Sequence, residues 1–421
     1  MLKRKSYLNL WESLSSEKQM IFLSGPRQVG KTTLAKLIAG GYSNKYYFNW
    51  DIASNKNLLI KDPAFFQHIN RVDSSNPLII LDEIHKYRQW KNYLKGIYDE
   101  FKNEYVFLVS GSGRLDTYQK GGDSLAGRYF KFRLFPFTVA ELSKENRGFS
   151  DFMHTPLKNF DINKAQSTKK IWNSLFNTGG FPEPFVKGTK AFLNKWSLNY
   201  YHQIVREDIR DAADIRRINS VDLLFSLLPS KVGSPLSINN LARDIQTAFD
   251  SVKNWLALFE SFYLIFRISP WTQKVSRAIS KEKKLYLFNY TEIQEKGSMF
   301  ENMVALELFR AITNWNDYGL GRFTLHFIRN KAKEEVDFLI ADNNNPVLLV
   351  EAKFSDEAVS KSLLYFQNVL NVPAVQLVNS ENTYRYFKNT ANSCLSFFRS
   401  FMIPANLSFC KFICPFISQK I

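Results

Sequence analysis

A glycine-rich segment follows the first apolar run of the chain and constrains the fold more than any other feature. The run is Met20 to Ser24, and the segment is Gly25-Pro26-Arg27-Gln28-Val29-Gly30-Lys31-Thr32. Glycine permits a tight turn after the strand and lets backbone N–H groups approach an anion closely. A helical pattern begins at Thr32, and the positive end of that helix would face the same anion. The pattern therefore predicts a phosphate-binding loop between a buried strand and a helix.

We expect this loop to bind the phosphates of ATP, with Mg²⁺ as the second cofactor. Lys31 would reach the β- and γ-phosphates and act in catalysis, and the Thr32 hydroxyl would bind Mg²⁺. A glycine-rich turn with an incidental lysine is the alternative, which the strand before and the helix after the segment disfavour. The predicted nucleotide-binding residues are Gly25, Pro26, Arg27, Gln28, Val29, Gly30, Lys31, Thr32 and Thr33.

Two adjacent carboxylates end another apolar run, Leu78-Ile79-Ile80-Leu81-Asp82-Glu83. Asp82 is predicted to hold the Mg²⁺ shell, and Glu83 to polarise the attacking water as the catalytic base. Two acids after four apolar residues can also be a plain strand end. The phosphate-binding segment about 50 residues upstream favours the catalytic interpretation.

Two further candidates lie downstream of the acid pair. A strand-like run ends in Ser110-Gly111-Ser112-Gly113, and the Ser112 hydroxyl could sense the γ-phosphate or position water, although a turn explains the segment equally well. Arg128 could meet charge in the transition state, in its own chain or in a neighbouring subunit. Arg114 competes for that role, and an ordinary surface arginine remains an open interpretation of both.

Alternating strand-like and helix-like patterns in the first 140 residues predict an α/β fold with a mostly parallel P-loop NTPase sheet. The pattern then becomes helical, and two short helices followed by two strands suggest a winged helix. A helix and several strands follow. The predicted parts are a P-loop ATPase core at 1–140, a helical lid at 141–215, a winged-helix-like domain at 216–292, a further α/β domain at 297–380 and a tail of unknown structure at 381–421.

In their order, several motifs resemble a prokaryotic family of AAA-type ATPases with a C-terminal domain of the PD-(D/E)xK nuclease type. The resemblance covers about residues 10–378 and implies an ATPase core, a winged-helix-like middle and a restriction-endonuclease-like end, but no pathway. The tail after Asn379 departs from the family because it does not look like the usual closing strand. The motifs are Gly25 to Thr33, Leu81-Asp82-Glu83, Ser110-Gly111-Ser112, Leu125-Ala126-Gly127-Arg128, Phe135-Pro136-Phe137, Gly179-Gly180-Phe181-Pro182-Glu183, Glu335-Val336-Asp337-Phe338 and Val350-Glu351-Ala352-Lys353.

The last two motifs predict a second site. Glu351 and Lys353 lie two apart on a strand and face the same side, and Asp337 precedes them on what looks like a hairpin partner. Glu301, on the helix before, could complete a metal shell for phosphodiester cleavage, with Lys353 supporting the nucleophilic water. Three interpretations remain open: an active nuclease, a nuclease fold that only binds DNA or a partner, and a structural coincidence.

The chain carries 56 Lys and Arg against 39 Asp and Glu, a formal charge of +17, which favours a polyanionic partner such as DNA. The loop of the predicted wing concentrates this charge and predicts phosphate contacts. A winged helix packed within the protein, with its charges solvated, is the alternative. The basic residues of the wing are Arg267, Lys274, Arg277, Lys281, Lys283 and Lys284.

Three cysteines, all in the last 30 residues, favour a reducing compartment. The longest apolar stretches are interrupted by charged residues or proline, so we expect a cytoplasmic protein without a membrane partner. The first functional hypothesis is an ATP-hydrolysing, DNA-associated protein whose nucleotide state controls a nuclease-like C-terminal domain. The alternative is a nucleotide-switched regulator whose inactive C-terminal domain binds a protein partner, with a second copy of the chain as a further candidate partner.

Overall fold

The computed structural model describes residues 4–111, 113, 115, 125–143, 165–210, 218–273, 281–355, 358–379, 385–387 and 400–404. Ser112, Arg114, Lys274 and Arg277, named above as candidates, lie outside the described residues. The chain divides into two compact units, one of residues 1–136 with 261–263 and one of residues 137–260 with 264–421. This division has fewer parts than the five that the sequence predicts.

The first unit is a five-stranded sheet, in the order β2-β3-β4-β1-β5, and every strand pairing in it is parallel. The predicted P-loop type of α/β fold is confirmed. Its elements are α1 Lys5–Glu17, β1 Met20–Ser24, α2 Lys31–Ala39, β2 Lys45–Asn49, α3 Ala53–Lys61, β3 Leu78–Asp82, α4 Trp90–Phe101, β4 Val106–Ser110 and β5 Phe130–Arg133, with 3₁₀ turns at Phe65–His68 and Ile84–Lys86.

Strands β1 and β3 are buried at every residue, which is what continuous apolar runs predict for strands covered on both faces. One core cluster joins these strands to α4, whose apolar stripe includes Leu94 and Ile97. Because all strands are parallel, their carboxyl ends share one edge, where Asn49 lies beside Asp82 and Asp82 beside Ser110. The phosphate-binding loop leaves β1 at this same edge.

The second unit contains helices and an eight-stranded mixed sheet of the order β12-β13-β11-β10-β9-β8-β6-β7. Its helices are α5 Val139–Ser143, α6 Ala165–Thr178, α7 Pro182–Lys187, α8 Lys190–His202, a π-helix at Gln203–Ile209, α9 Ile218–Leu227, α10 Ile238–Asp244, α11 Phe249–Ser261, α12 Lys296–Asp317 and α13 Lys361–Leu370, with 3₁₀ turns at Leu228–Lys231 and Tyr290–Glu292. Its strands are β6 Ile265–Pro270, β7 Lys284–Leu287, β8 Phe323–Arg329, β9 Glu335–Asp342, β10 Asn345–Lys353, β11 Ala374–Val378, β12 Arg385–Phe387 and β13 Ser400–Pro404.

The predicted wing, formed by β6 and β7, is part of this larger sheet. The two strands pair antiparallel as a hairpin, but Ser269 and Pro270 of β6 also pair in parallel with His326 and Phe327 of β8. A strand has two hydrogen-bonding edges, and β6 uses one for each neighbour. The predicted boundary between residues 292 and 297 is therefore crossed by a continuous sheet.

The tail also differs from the expectation that it lacks a closing strand. Residues 400–404 form β13, which pairs in parallel with β11, and residues 385–387 form β12, antiparallel to β13. The run Phe401 to Ile403 is short and apolar, and the strand ends at Pro404, which lacks the N–H for a ladder bond. Within the described ranges, no helix combines the length and apolarity that crossing a bilayer requires.

Candidate functional site

Two glycines give the predicted phosphate-binding loop a backbone path that other residues would not follow. Gly25 has φ +142°, and a Cβ there would overlap the carbonyl oxygen of Leu134. Gly30 has φ +98° and stands at the N-terminal cap of α2, with open space around it. The first glycine is needed for close packing and the second for its left-handed conformation. Together they turn the chain from β1 into α2.

The side chain of Lys31 lies back across the loop that precedes it. Its Nζ donates hydrogen bonds to the carbonyl oxygens of Pro26, at 2.7 Å, and Gly25, at 3.0 Å. The residue is 8% exposed, which is rare for a lysine and consistent with these charge-assisted contacts. A buried cation is thus held at the turn between strand and helix.

Asp82, at the end of β3, is the centre of a hydrogen-bond network at the carboxyl edge of the sheet. Its Oδ2 accepts from the hydroxyls of Tyr47, at 2.6 Å, and Thr32, at 2.9 Å, and its Oδ1 accepts from the hydroxyl of Ser110. Asp82 is 2% exposed. Burial and the neighbouring Asp82 carboxylate raise the pKa of Tyr47 to about 12. The strand register creates the network, since Ser110 is the cross-strand neighbour of Asp82.

Thr32 and Asp82 fit the Mg²⁺ site that the sequence predicts. A hydroxyl and a carboxylate are hard oxygen donors, which is the ligand class that Mg²⁺ prefers. Their contact at 2.9 Å brings together two segments that are 50 positions apart in the chain. These two side chains would hold the ion, with the phosphates of the nucleotide as further ligands.

Glu83 follows Asp82 with φ +57°, a left-handed conformation that is uncommon for glutamate. Its backbone N–H donates to Ser110 O at 2.9 Å, which ties the turn to β4. Its carboxylate lies 3.4 Å from Lys86 Nζ and 3.7 Å from His85 Nε2. Lys86 also contacts Asp51 at 2.6 Å, so it is shared between two acids. The turn therefore directs the Glu83 side chain into a basic surrounding at the carboxyl edge of the sheet.

Arg128 lies away from this network. Its guanidinium forms a bidentate pair with Asp99, at 2.7 and 3.0 Å, near the end of α4. The preceding Gly127 accepts a hydrogen bond from Lys18, just before β1 begins, at 2.8 Å. Both partners mark the amino edge of the sheet, opposite Asp82. The pairing raises the pKa of Arg128 and lowers the pKa of Asp99.

In the second unit, Asp337, Glu351 and Lys353 are neighbours, as their spacing predicts. The backbone N–H of Asp337 donates to Glu351 Oε2 at 3.3 Å, and Asp337 Oδ2 accepts from Ala352 N at 3.0 Å. Lys353 Nζ lies 3.1 Å from Glu351 Oε1. Burial, with the charge of Asp337 second, raises the pKa of Glu351 to about 8.

Lys284, which the sequence places on the predicted wing, also belongs to this cluster. Its Nζ lies 2.7 Å from Glu335, 3.4 Å from Asp337 and 3.5 Å from Glu301. Burial alone would lower its pKa, but these carboxylates outweigh burial and raise it. Glu301 also accepts from the Tyr286 hydroxyl at 2.8 Å, and burial raises its pKa to about 7.

Within the described part of the chain, no three histidine, cysteine or acidic side chains are arranged to hold a metal ion. Two of the predicted ligands, Glu301 and Asp337, contact the Lys284 ammonium instead. The nuclease metal that the resemblance implies does not fit these residues as they stand.

The described basic residues of the predicted wing divide into paired and exposed groups. Arg267 forms two hydrogen bonds with Glu260, at 2.8 and 2.6 Å, and Lys284 is buried. Lys281 is exposed and Lys283 is half-buried. Of these four described basic residues, Arg267 and Lys284 are therefore paired with acids of the protein.

Family models match three consecutive parts of the chain. Residues 17–143 match the AAA domain, residues 169–290 match a domain of unknown function (DUF8612) and residues 296–397 match another (DUF4143). The first match covers the phosphate-binding loop, Asp82 and Glu83. With the parallel sheet, it makes the first unit an ATP-binding domain of AAA type.

The chain is also similar to proteins of bacteria and archaea. An uncharacterized protein of Mycobacterium tuberculosis (strain ATCC 25618 / H37Rv) is 20% identical over 358 residues, which cover 82% of this chain and 72% of that protein. An uncharacterized protein of Methanocaldococcus jannaschii is 24% identical over 330 residues, with 70% and 68% covered.

Two solved structures align with most of the chain. A Walker-type ATPase of Pyrococcus abyssi aligns with a TM-score of 0.44 and 13% identity, covering 71% of this chain and 96% of that one. The Aeropyrum pernix ORC1 protein, solved in complex with DNA, aligns with a TM-score of 0.33 and 13% identity, covering 72% and 93%.

Proposed function

We propose that this AAA-type ATPase hydrolyses ATP at the carboxyl edge of the first sheet, with Mg²⁺ held by Thr32 and Asp82. The observation that carries the proposal is the contact between the Thr32 hydroxyl and the Asp82 carboxylate at 2.9 Å, directly after the phosphate-binding loop. A P-loop places the hydroxyl and the carboxylate of two separate motifs around one metal ion in this way. When bound, Mg²⁺ supplies positive charge to the β- and γ-phosphates.

The remaining side chains of the edge have separate roles in this proposal. When ATP binds, the Lys31 ammonium leaves the carbonyl oxygens of Gly25 and Pro26 and contacts phosphate oxygens. A buried ammonium forms stronger hydrogen bonds with an anion than with neutral acceptors. Glu83 orients and deprotonates the attacking water. Tyr47 and Ser110 hold the Asp82 carboxylate in one orientation from neighbouring strands.

Substitution of Lys31 tests the proposal. Lys31→Ala should abolish ATP turnover, measured as released phosphate, because it removes the cation that neutralises the β- and γ-phosphates. Lys61→Ala is the matched control, since Lys61 is an exposed lysine at the end of α3. Turnover at the wild-type rate in Lys31→Ala, with the control unchanged, would contradict the site.

We further propose that the protein associates with DNA and that its nucleotide state changes this association. The formal charge of +17 supports the proposal, because an excess of Lys and Arg attracts polyanions without regard to fold. Binding of a labelled duplex should weaken steeply as salt rises. Affinity that is undetectable at low salt, or independent of salt, would remove the DNA part and leave the ATPase assignment standing.

The second candidate is a nucleotide-switched regulator whose C-terminal domain cuts nothing and binds a protein partner. The burial of Lys284 among the acids of the predicted nuclease site favours it over an active nuclease. Plasmid DNA with Mg²⁺ or Mn²⁺ separates the two. Nicking that Asp337→Ala abolishes would favour the nuclease, and absence of nicking under every nucleotide condition would favour the regulator.

A further inference from the structure

Lys284 lies inside the acid cluster of the second unit, which consists of Glu301, Glu335, Asp337 and Glu351. Its side chain is 1% exposed, and its Nζ is within 3.5 Å of an oxygen of each of the first three acids. These acids come from two elements, α12 and β9, while Lys284 comes from β7. One ammonium group thus joins three segments of the unit.

The position of this ammonium is incompatible with a metal ion between Glu301 and Asp337. Magnesium binds oxygen at about 2.0–2.1 Å, so a shared ion would lie between the two carboxylates. The Lys284 Nζ already contacts both carboxylates, at 3.5 Å from Glu301 and 3.4 Å from Asp337. A divalent cation at this position would be repelled by the ammonium, and the repulsion is strong because the buried site contains little water to screen it.

Carboxylate oxygens of Asp337 and Glu351 that do not contact Lys284 also have partners. Asp337 Oδ2 accepts from Ala352 N, and the Glu351 oxygens accept from Asp337 N and Lys353 Nζ. These bonds fix both acids to the backbone of the neighbouring strand. The cluster is therefore an ion-pair network with its own cation.

The backbone around Lys284 restricts its withdrawal. Its strand pairs with β6 on one side, and an isolated bridge to Pro235 lies on the other. Its Nζ also lies 5.5 Å from the centre of the Phe327 ring, a cation–π distance. The side chain would have to leave its buried contacts with three acids to admit an ion.

We propose that Lys284 takes the place of a metal ion in this cluster, so that the second unit contains an internal ion-pair network where the nuclease resemblance implies a metal centre. The inference is independent of the ATP site, and it predicts that Lys284 is what excludes the metal. Removal of its charge should open the acids to a divalent cation.

Manganese binding to the nucleotide-free full-length chain tests this, measured by the loss of free Mn²⁺ signal in electron paramagnetic resonance. Wild type and Asp337→Asn should bind the same number of Mn²⁺ ions, because the cluster of the wild type is expected to bind none. Lys284→Met, which keeps the length of the side chain without its charge, should gain one site that the added Asp337→Asn abolishes. Lys296→Met is the matched control, because it removes an exposed lysine at the start of α12 and leaves the Lys284 ammonium in place, so it should gain no site.

A wild-type Mn²⁺ site that depends on Asp337 would overturn the proposal. A folded Lys284→Met chain that binds no Mn²⁺ through Asp337 would also overturn it, because Lys284 would then not be the group that excludes the metal. Circular dichroism checks folding, and Lys284→Gln replaces the methionine variant if that one unfolds. If neither variant folds, the wild-type comparison decides: equal Mn²⁺ binding with and without Asp337→Asn supports a closed cluster.

Discussion

The hydroxyl of Thr32 donates a 2.9 Å hydrogen bond to Asp82 Oδ2. This bond joins the first turn of α2 to the end of β3, two elements that are not adjacent in sequence. It depends on the parallel order of the sheet, because parallel strands place all their carboxyl ends at one edge. A single contact thus links the two motifs on which the ATPase assignment rests.

Glu83→Gln should bind ATP and hydrolyse it slowly. An amide keeps the shape of the side chain but cannot take a proton from water, and loss of a general base typically costs about 10²- to 10⁴-fold in rate. Single-turnover hydrolysis and retention of labelled ATP measure the effect. Glu100→Gln, at an exposed position of α4, is the control. Hydrolysis by Glu83→Gln within a few-fold of wild type would assign the base to another residue.

Tyr47→Phe should weaken the Asp82 network, most clearly at neutral pH. Loss of the hydrogen bond from the half-buried Tyr47 hydroxyl to the Asp82 carboxylate is expected to cost about 1 kcal/mol of unfolding free energy. The pKa of Tyr47 is raised to about 12, so its contribution is complete below the ordinary tyrosine value near 10 and disappears as pH rises towards 12. Denaturant unfolding between pH 8 and 11 should show the gap between wild type and variant closing. A gap that widens with pH would contradict this account.

The first site was largely predictable because its determinants are local. Gly25 and Gly30 are required by backbone geometry. An apolar strand that ends in Asp82 places this carboxylate at the carboxyl edge of a parallel sheet. Tyr47 escaped prediction because its contact with Asp82 depends on strand register, which the sequence does not display. The position of Arg128 could not be predicted either, because its contact with Asp99 depends on how α4 packs against the sheet.

The second site shows where sequence patterns fail. Lys284 stands among other basic residues, and that neighbourhood predicts a solvated charge on a wing. Its burial is set by acids that are distant in sequence, Glu301 on α12 and Asp337 on β9, and by the pairing of its own strand with β6. The spacing of Asp337, Glu351 and Lys353 correctly placed them together, but it could not show that another cation was present.

The double variant Lys281→Ala, Lys283→Ala should reduce the salt dependence of DNA binding. Each phosphate contact contributes about 0.9 to the slope of log K against log salt, so loss of both lowers the slope by about two. Fluorescence anisotropy at several salt concentrations measures the slope. Lys190→Ala, Lys195→Ala removes the same charge from exposed positions of α8 and is the control. A slope in Lys281→Ala, Lys283→Ala equal to that of wild type would show that these two lysines do not contact phosphate.

Glu307→Gln should reduce the fall in stability of the second unit that occurs as the pH rises through 7. Glu307 is 3% exposed and accepts a hydrogen bond from Val139 N at 2.8 Å, and burial raises its pKa to about 7. A carboxyl with a raised folded pKa stabilises fully below its unfolded value near 4.5 and loses this contribution as pH rises through 7. The shift from 4.5 to about 7 limits the effect to about 3 kcal/mol.

Glutamine keeps the acceptor oxygen but does not ionise, so thermal unfolding at pH 5 and pH 8 should differ less in this variant than in wild type. Glu183→Gln, at an exposed position, should leave the difference unchanged, and an equal fall in Glu307→Gln and wild type would show that Glu307 does not titrate in this range.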